Sequence, residues 1–229
     1  MIEKINSLPD KACISVGHFP SYDFFGGKFI NCVPAFKELI LPNFEFSKLI
    51  QIQADYFAQQ HGLLDNNYIS VQFRRGDFEK HCRDAFSFRM DNWAFGRLLE
   101  DKYKFDIASW EEFKNHCYPS TLQLVKKITE FNSNISSPVS KVLILTNANN
   151  TEINELKKEL NSNGLEFLIF APKQDNIPND VRWTVTHSLF VEMELARLGK
   201  YWMGNRHSTI NSNLIGLRLD KDLNNNALI

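Results

Sequence analysis

Lys141-Val142-Leu143-Ile144-Leu145-Thr146 decides the fold. Four consecutive branched apolar residues leave no polar face, which is the pattern of a strand covered on both sides in a parallel sheet. The next segment is helical: Thr151 to Asn161 puts Ile153, Leu156 and Leu160 on one face, and Gly164 ends it. Leu165 to Phe170 is a second buried strand. Val185 to Leu198 is a helix stopped by Gly199, Lys200 to Met203 a short strand, and Ser208 opens a last helix toward Arg218. Upstream, Ser120 to Phe131 is a helix with Leu124 and Ile128 on one face. Tyr68 to Phe73 alternates as a strand, and Phe46 to His61 is a helix with Gly62 as its stop. Phe78 to Tyr118 has no clear period and reads as a long insertion with short helices. Turn signals such as Leu8-Pro9-Asp10 and Gly26-Gly27 make residues 1–42 a loop-rich lead-in to a domain over 43–229. Strand–helix alternation around apolar strands predicts an α/β fold, a Rossmann-like parallel sheet flanked by helices through right-handed crossovers.

Composition bounds the function. The chain has 229 residues, 43% of them hydrophobic, with 26 basic and 27 acidic side chains and a net charge of −1. That is enough chain for a real core, and a balance that excludes a general electrostatic nucleic-acid binder. No apolar run approaches the ~20 residues of a membrane-spanning helix. Met1 to Asn6 has no signal-peptide pattern, so the chain as written reads as cytoplasmic, or as lumenal in the ER or Golgi if it belongs to a longer secretory-pathway protein. Cys13, Cys32, Cys82 and Cys117 form no CxxC pair, and the six histidines lie at no metal spacing, so no metal site is expected. Cys82 meets Cys117 if the intervening segment doubles back, but a leaderless chain favours four reduced thiols. Asn134-Ile135-Ser136 and Asn149-Asn150-Thr151 are glycosylation sequons that matter only in the secretory pathway.

In a parallel sheet, ligands bind at the carboxyl ends of the strands. After Phe73 comes Arg74-Arg75-Gly76-Asp77. A guanidinium fork there matches two phosphate oxygens, although for this stretch taken alone an Arg–Asp surface pair is the commoner explanation. After Thr146 comes Asn147-Ala148-Asn149-Asn150, polar groups able to reach a base or ribose, or to cap the next helix. Ala171-Pro172-Lys173 carries no clear chemistry. After Met203, Gly204-Asn205-Arg206-His207-Ser208-Thr209 sets a glycine and two hydroxyls at a helix N-terminus, where free N–H groups and the helix dipole favour an anion. Two phosphate-compatible ends in one sheet point to a nucleoside diphosphate. No Walker loop, GxGxxG turn, GxSxG elbow or HExxH is present, which removes ATPase and dinucleotide-dependent readings.

These residues carry a resemblance. Val71-Gln72-Phe73-Arg74-Arg75-Gly76-Asp77-Phe78 resembles the HxRxGD-type motif of the GDP-fucose protein O-fucosyltransferase superfamily. Tyr201 to Thr209 is similar to that family's second signature, a hydrophobic strand, then Gly-Asn, then a hydroxyl pair opening a helix. Val142 to Asn147 is similar to its strand ending in Thr-Asp or Thr-Asn, and Ile210-Asn211-Ser212-Asn213 with Arg218 resembles fungal members in particular. The resemblance spans roughly Tyr68 to Arg218.

It implies the carboxyl-terminal half of a GT-B enzyme that moves fucose from GDP-fucose to a hydroxyl, of protein Ser/Thr or a glycan, with inversion and without a metal or other cofactor. By position, Arg74 grips the β-phosphate and stabilises the departing GDP. Ser208 and Thr209 bond the phosphates, Asn147 lies near guanine or ribose, Asp77 orients the arginine loop, and Gln72 and Gly76 complete the donor site. Gln72 stands where the family usually has His, and Asn147 where many members have Asp. The family's Gly-Asn-Asn-type loop has no counterpart; Gly26-Gly27-Lys28 is a poor substitute. No general base is assigned, Asp77, Glu79 and His81 being the nearest in sequence. Two other readings stand beside this one: a non-catalytic nucleotide-sugar-binding remnant, and an unrelated Rossmann-like interaction protein.

Overall fold

The computed structural model describes residues 41–87, 109–179, 181–222 and 225–229, together with Glu38. The expected lead-in over 1–42 lies almost wholly outside them, as do Cys13, Cys32 and the centre of the 78–118 segment.

The chain is α/β. After a 3-10 turn at Leu41–Asn43, the order is α1 (Lys48–Gln60), β1 (Ile69–Phe73), α2 (Phe78–Ser87), α3 (Trp110–Cys117), α4 (Thr121–Asn134), β2 (Lys141–Thr146) and α5 (Asn150–Ser162). It continues with β3 (Glu166–Leu168), a 3-10 turn at Gln174–Asn176, α6 (Val185–Leu198), β4 (Tyr201–Gly204), α7 (Thr209–Leu217) and β5 (Asn226–Leu228). The strands form one five-stranded sheet in the order β3-β2-β1-β4-β5, every pair parallel. β1 is central, in register with β2 from Ile69↔Val142 to Phe73↔Thr146 and with β4 from Ile69↔Tyr201 to Val71↔Met203.

Side chains alternate across the sheet and build two core layers. Ile69, Val71, Phe73, Val142, Ile144, Tyr201 and Met203 face α4 and α5, where Leu124, Ile128, Leu156 and Leu160 close the layer. Leu143, Leu145 and Trp202 face α1, α6 and α7, against Ile50, Phe57, Val191, Leu195, Leu214 and Ile215. Helix ends are set by local chemistry. Ser120 with Gln123, and Asn149 with Glu152, form capping boxes at the starts of α4 and α5. Gly62, with φ of +61°, lets Leu63 N–H turn back onto Ala58 O behind α1.

Three expectations change. Cys82 and Cys117 are joined in a disulfide between α2 and α3, with Cα atoms 5.8 Å apart, so these two are not reduced thiols. Phe78, Ala85 and Phe113 pack with them into a third, smaller apolar cluster, which brings the two helices together. The strand expected over 165–170 pairs only through Glu166–Leu168, because β3 is an edge with β2 as its single neighbour. β5 was not expected: three residues carry no period, and they pair with β4 at the other edge. Arg218, fully buried, explains its own motif structurally. It donates to Asn226 Oδ1 and to the carbonyls of Ala196, Arg197, Gly199 and Lys200, tying α7 to the α6–β4 turn and to β5. Among the described residues no helix is long and apolar enough to cross a membrane.

Candidate functional site: an anion cleft at the sheet's switch point

The strand order runs outward in both directions from β1 and β4, so the topological switch point lies between them. That is where ligands bind in open α/β sheets. A cavity of about 200 Å³ opens there, lined by Arg74, Asp77, Phe78, His81, His207, Ser208, Thr209 and Ile210. It is smaller than the roughly 300–1,000 Å³ of a site that engulfs a drug-sized ligand, and suits a group of diphosphate size. The segments that succeed β1 and β4 in the chain therefore meet across one cleft.

Strand alternation sorts the two arginines. Arg74 falls on the face of Gln72 and α7, Arg75 on the face of Phe73 and α5. Arg75 is buried, its guanidinium 3.8 Å from the Phe73 ring centroid and 4.3 Å from that of Tyr118. It pairs with Glu152 at 3.0 Å and donates to Pro119 O. Arg75 is thus a scaffold for the turn. Arg74 lines the cavity with 36% of its side chain exposed, and its Nε is buried without a hydrogen-bond partner. The Arg74–Asp77 pair anticipated as a surface salt bridge exists, at 3.4 Å with Asp77 83% exposed. Such an exposed pair contributes about 0–1 kcal/mol.

Asn147 does not line the cavity. Its Oδ1 accepts from Arg75 N–H at 2.7 Å and its Nδ2 donates to Arg75 O at 3.1 Å, so its amide clips the arginine turn. Thr146 Oγ1 donates to Phe73 O at 2.6 Å beside it. Gly76 has φ of +66°, and a Cβ there would sit 3.3 Å from Asn147 Nδ2. Both the left-handed turn and the close approach call for glycine. Gly204 is required by contact alone: a Cβ would lie 1.7 Å from Asn211 Oδ1, which accepts from Trp202 Nε1 at 2.8 Å.

Ser208 is the N-cap of α7, yet its side chain makes no capping bond to the helix backbone. The first-turn N–H groups of α7 and both hydroxyls, of Ser208 and Thr209, stand at the cleft, where the helix dipole is positive. Gln72 lies behind Ser208 and outside the cavity lining.

The histidines differ in character. His81 Nε2 is 3.0 Å from His207 O. A carbonyl only accepts, so the proton sits on Nε2 in the neutral ring. The His81 ring stacks on Phe78, centroids 5.0 Å apart. His207 packs against Phe113 at 4.7 Å, and burial, with Arg206, His81 and His116 nearby, pushes its pKa down to about 3. It is a neutral packed ring at physiological pH. No group of three His, Cys, Asp or Glu able to hold a metal ion occurs among the described residues.

Of the residues expected at the site, the fold gathers Arg74, Asp77, Ser208 and Thr209 around the cavity and puts Gln72, Gly76 and Asn147 in the frame that holds them. Sequence reasoning did not find Arg75 as scaffold, although carrying the β1 alternation two residues further separates it from Arg74. Nor did it find Asn205, whose partners Gln72 and Cys117 lie far along the chain, or Asn211, which bonds Trp202 nine residues back.

No protein-family model matches the chain, and no curated protein matches it in sequence. Solved structures do match in fold. The apo form of POFUT1 is 18% identical with a TM-score of 0.54, over 82% of this chain and 48% of that one. POFUT1 in complex with GDP is 18% identical with a TM-score of 0.53, over 80% and 47%. POFUT1 in complex with GDP-fucose is 17% identical with a TM-score of 0.51, over 80% and 46%. This chain spans about half the length of those structures, and what it shares with POFUT1, a GDP-fucose protein O-fucosyltransferase, is the α/β fold.

Proposed function

We propose that the cleft holds the diphosphate of a nucleotide sugar, GDP-fucose, and that the chain is the donor-binding half of a GT-B glycosyltransferase that moves fucose to a hydroxyl acceptor. The observation that carries this reading is convergence: a guanidinium with an unpartnered Nε and a helix N-terminus with uncapped N–H groups face one cavity at the switch point. The solved POFUT1 complexes support the choice of ligand, since those proteins of the same fold bind GDP and GDP-fucose.

Breaking the bond between fucose and the β-phosphate leaves negative charge on the diphosphate. Arg74, the α7 N–H groups and the hydroxyls of Ser208 and Thr209 meet that charge as it develops, without a metal, and Asp77 holds the arginine ready. Attack by the acceptor oxygen on the opposite face of the sugar inverts the anomeric centre. Protein Ser/Thr is the proposed acceptor. The Cys82–Cys117 disulfide favours an oxidising compartment such as the ER or Golgi lumen. Nucleotide-sugar binding without transfer is the second reading.

Thermal unfolding with GDP, GDP-fucose, ADP and UDP tests the site. A ligand at about a hundred times its dissociation constant adds roughly 2.7 kcal/mol, a rise in Tm of roughly 5–10 °C at this size. The expected result is a rise with guanine nucleotides that Arg74→Ala cuts to about half or less. A cooperatively folded chain whose Tm no nucleotide moves would sink the donor-site reading. Release of labelled fucose onto a hydroxyl acceptor then separates transfer from binding alone.

A further inference from the structure

Ser208 is held from behind by a buried amide. Gln72, on β1 and 3% exposed, donates from Nε2 to Ser208 Oγ at 2.7 Å. Its Oε1 accepts the backbone N–H of Asn205 at 3.3 Å. A backbone N–H only donates, so this contact fixes which end of the amide is oxygen and which is nitrogen. The Ser208 hydroxyl therefore accepts on its buried side, and its own proton is directed elsewhere. No backbone N–H of α7 donates to that oxygen, so the hydroxyl is not engaged as a helix cap. The remaining open side of Ser208 is the cavity.

We infer that Gln72 is a positioning residue that orients the Ser208 hydroxyl as a hydrogen-bond donor toward an anionic ligand in the cleft. The inference rests on the diphosphate reading of that cleft. Asn205 completes the brace: its Nδ2 donates to Cys117 O at 2.6 Å, and its Oδ1 accepts from His207 N–H at 2.9 Å. The loop before α7 is thereby anchored both to β1 and to the end of α3. A donor oriented before the ligand arrives costs no reorganisation when negative charge appears. An amide also has one protonation state, so this orientation does not change with pH, as it would with an imidazole in the same place.

The test is a double-mutant cycle on affinity for GDP and for inorganic pyrophosphate, read by titration calorimetry, with guanosine as the phosphate-free comparison. Gln72→Met removes the donor, and Gln72→Glu keeps the shape and the acceptor for Asn205 N–H but takes up the Ser208 proton. Each is measured alone and with Ser208→Ala. Either change is expected to weaken pyrophosphate at least ten-fold when Ser208 is present. Gln72→Met is expected to cost less than two-fold when Ser208 is alanine. For Gln72→Glu, the Ser208→Ala background reports the added charge by itself, and the loss is expected to be larger with Ser208 than without. Should Gln72→Met fail to fold, the isosteric Gln72→Glu pair carries the comparison. Equal losses in both backgrounds, or no loss beside Ser208, overturn the inference while leaving the cleft intact. A wild-type chain that binds neither GDP nor pyrophosphate overturns the diphosphate reading itself.

Discussion

A single arginine separates the site from an ordinary protein surface. Arg74 reaches the cavity with an unpartnered Nε, whereas Arg75 is locked between two aromatic rings and Glu152. A charge-assisted hydrogen bond contributes roughly 1.5–3 kcal/mol, so Arg74→Ala is expected to weaken GDP about 10- to 100-fold in calorimetry while leaving Tm without ligand almost unchanged. Arg75→Ala is expected to do the reverse. It leaves Glu152 without its buried partner and empties the space between Phe73 and Tyr118, so Tm falls before any affinity is measured. Gly204 is the second decisive residue. A methyl group there meets Asn211 Oδ1 and Trp202 Nε1 in a fully packed layer. Gly204→Ala is expected to cost about 3 kcal/mol in urea unfolding, and an unchanged midpoint would show that Asn211 can move aside. The glycine of the Gly-Asn signature is thus explained by packing beneath the cleft rather than by contact with a ligand.

At the scale of elements, α2 and α3 are the part most dependent on covalent and buried polar support. Their cluster is small, and the Cys82–Cys117 bond closes a separation of 35 residues. Chain entropy assigns such a link about 3–4 kcal/mol. Reduction, or Cys82→Ser with Cys117→Ser, is therefore expected to lower Tm by roughly 6–16 °C; equal Tm with and without reductant would remove the bond from the account. His207, packed on Phe113 of α3, adds a pH dependence. Its folded pKa of about 3 lies below the ordinary value of 6.5. Below pH 6.5 the unfolded chain takes up a proton that the folded chain refuses, so stability is complete above that pH and falls as pH drops toward 3. The slope is about 1.4 kcal/mol per pH unit. Between pH 7 and 5, wild type is expected to lose about 2 kcal/mol more than His207→Leu in urea titrations, and parallel losses would show that His207 does not titrate this way. The helices and central strands were legible because their apolar spacing repeats: β2 and α6 begin and end where the residues say. β5, the shortness of β3 and the α2–α3 pairing were not legible. Edge pairing, strand order and a disulfide partner are properties of distant segments, and no local period records them.

The whole molecule ties the cleft to one sheet. β1 and β4 present Arg74 and Ser208 from adjacent strands, and β2 and β4, on either side of β1, supply side chains to both core layers. Neither layer survives loss of the sheet, so the layers unfold together. With Trp93, Trp110 and Trp183 replaced by phenylalanine, Trp202, fully buried in β4, reports the layer of α6 and α7 by fluorescence, while far-UV circular dichroism reports every helix. The expected result in urea is one transition with the same midpoint by both probes. GDP at about a hundred times its dissociation constant adds roughly 2.7 kcal/mol, which at a typical urea slope of 1–3 kcal/mol/M for small proteins moves both midpoints upward together by about 1 M or more. A fluorescence midpoint that moves while the dichroism midpoint stays would mean that the ligand is coupled to β4 and α7 alone. The switch point would then be a local feature rather than the junction of the whole fold.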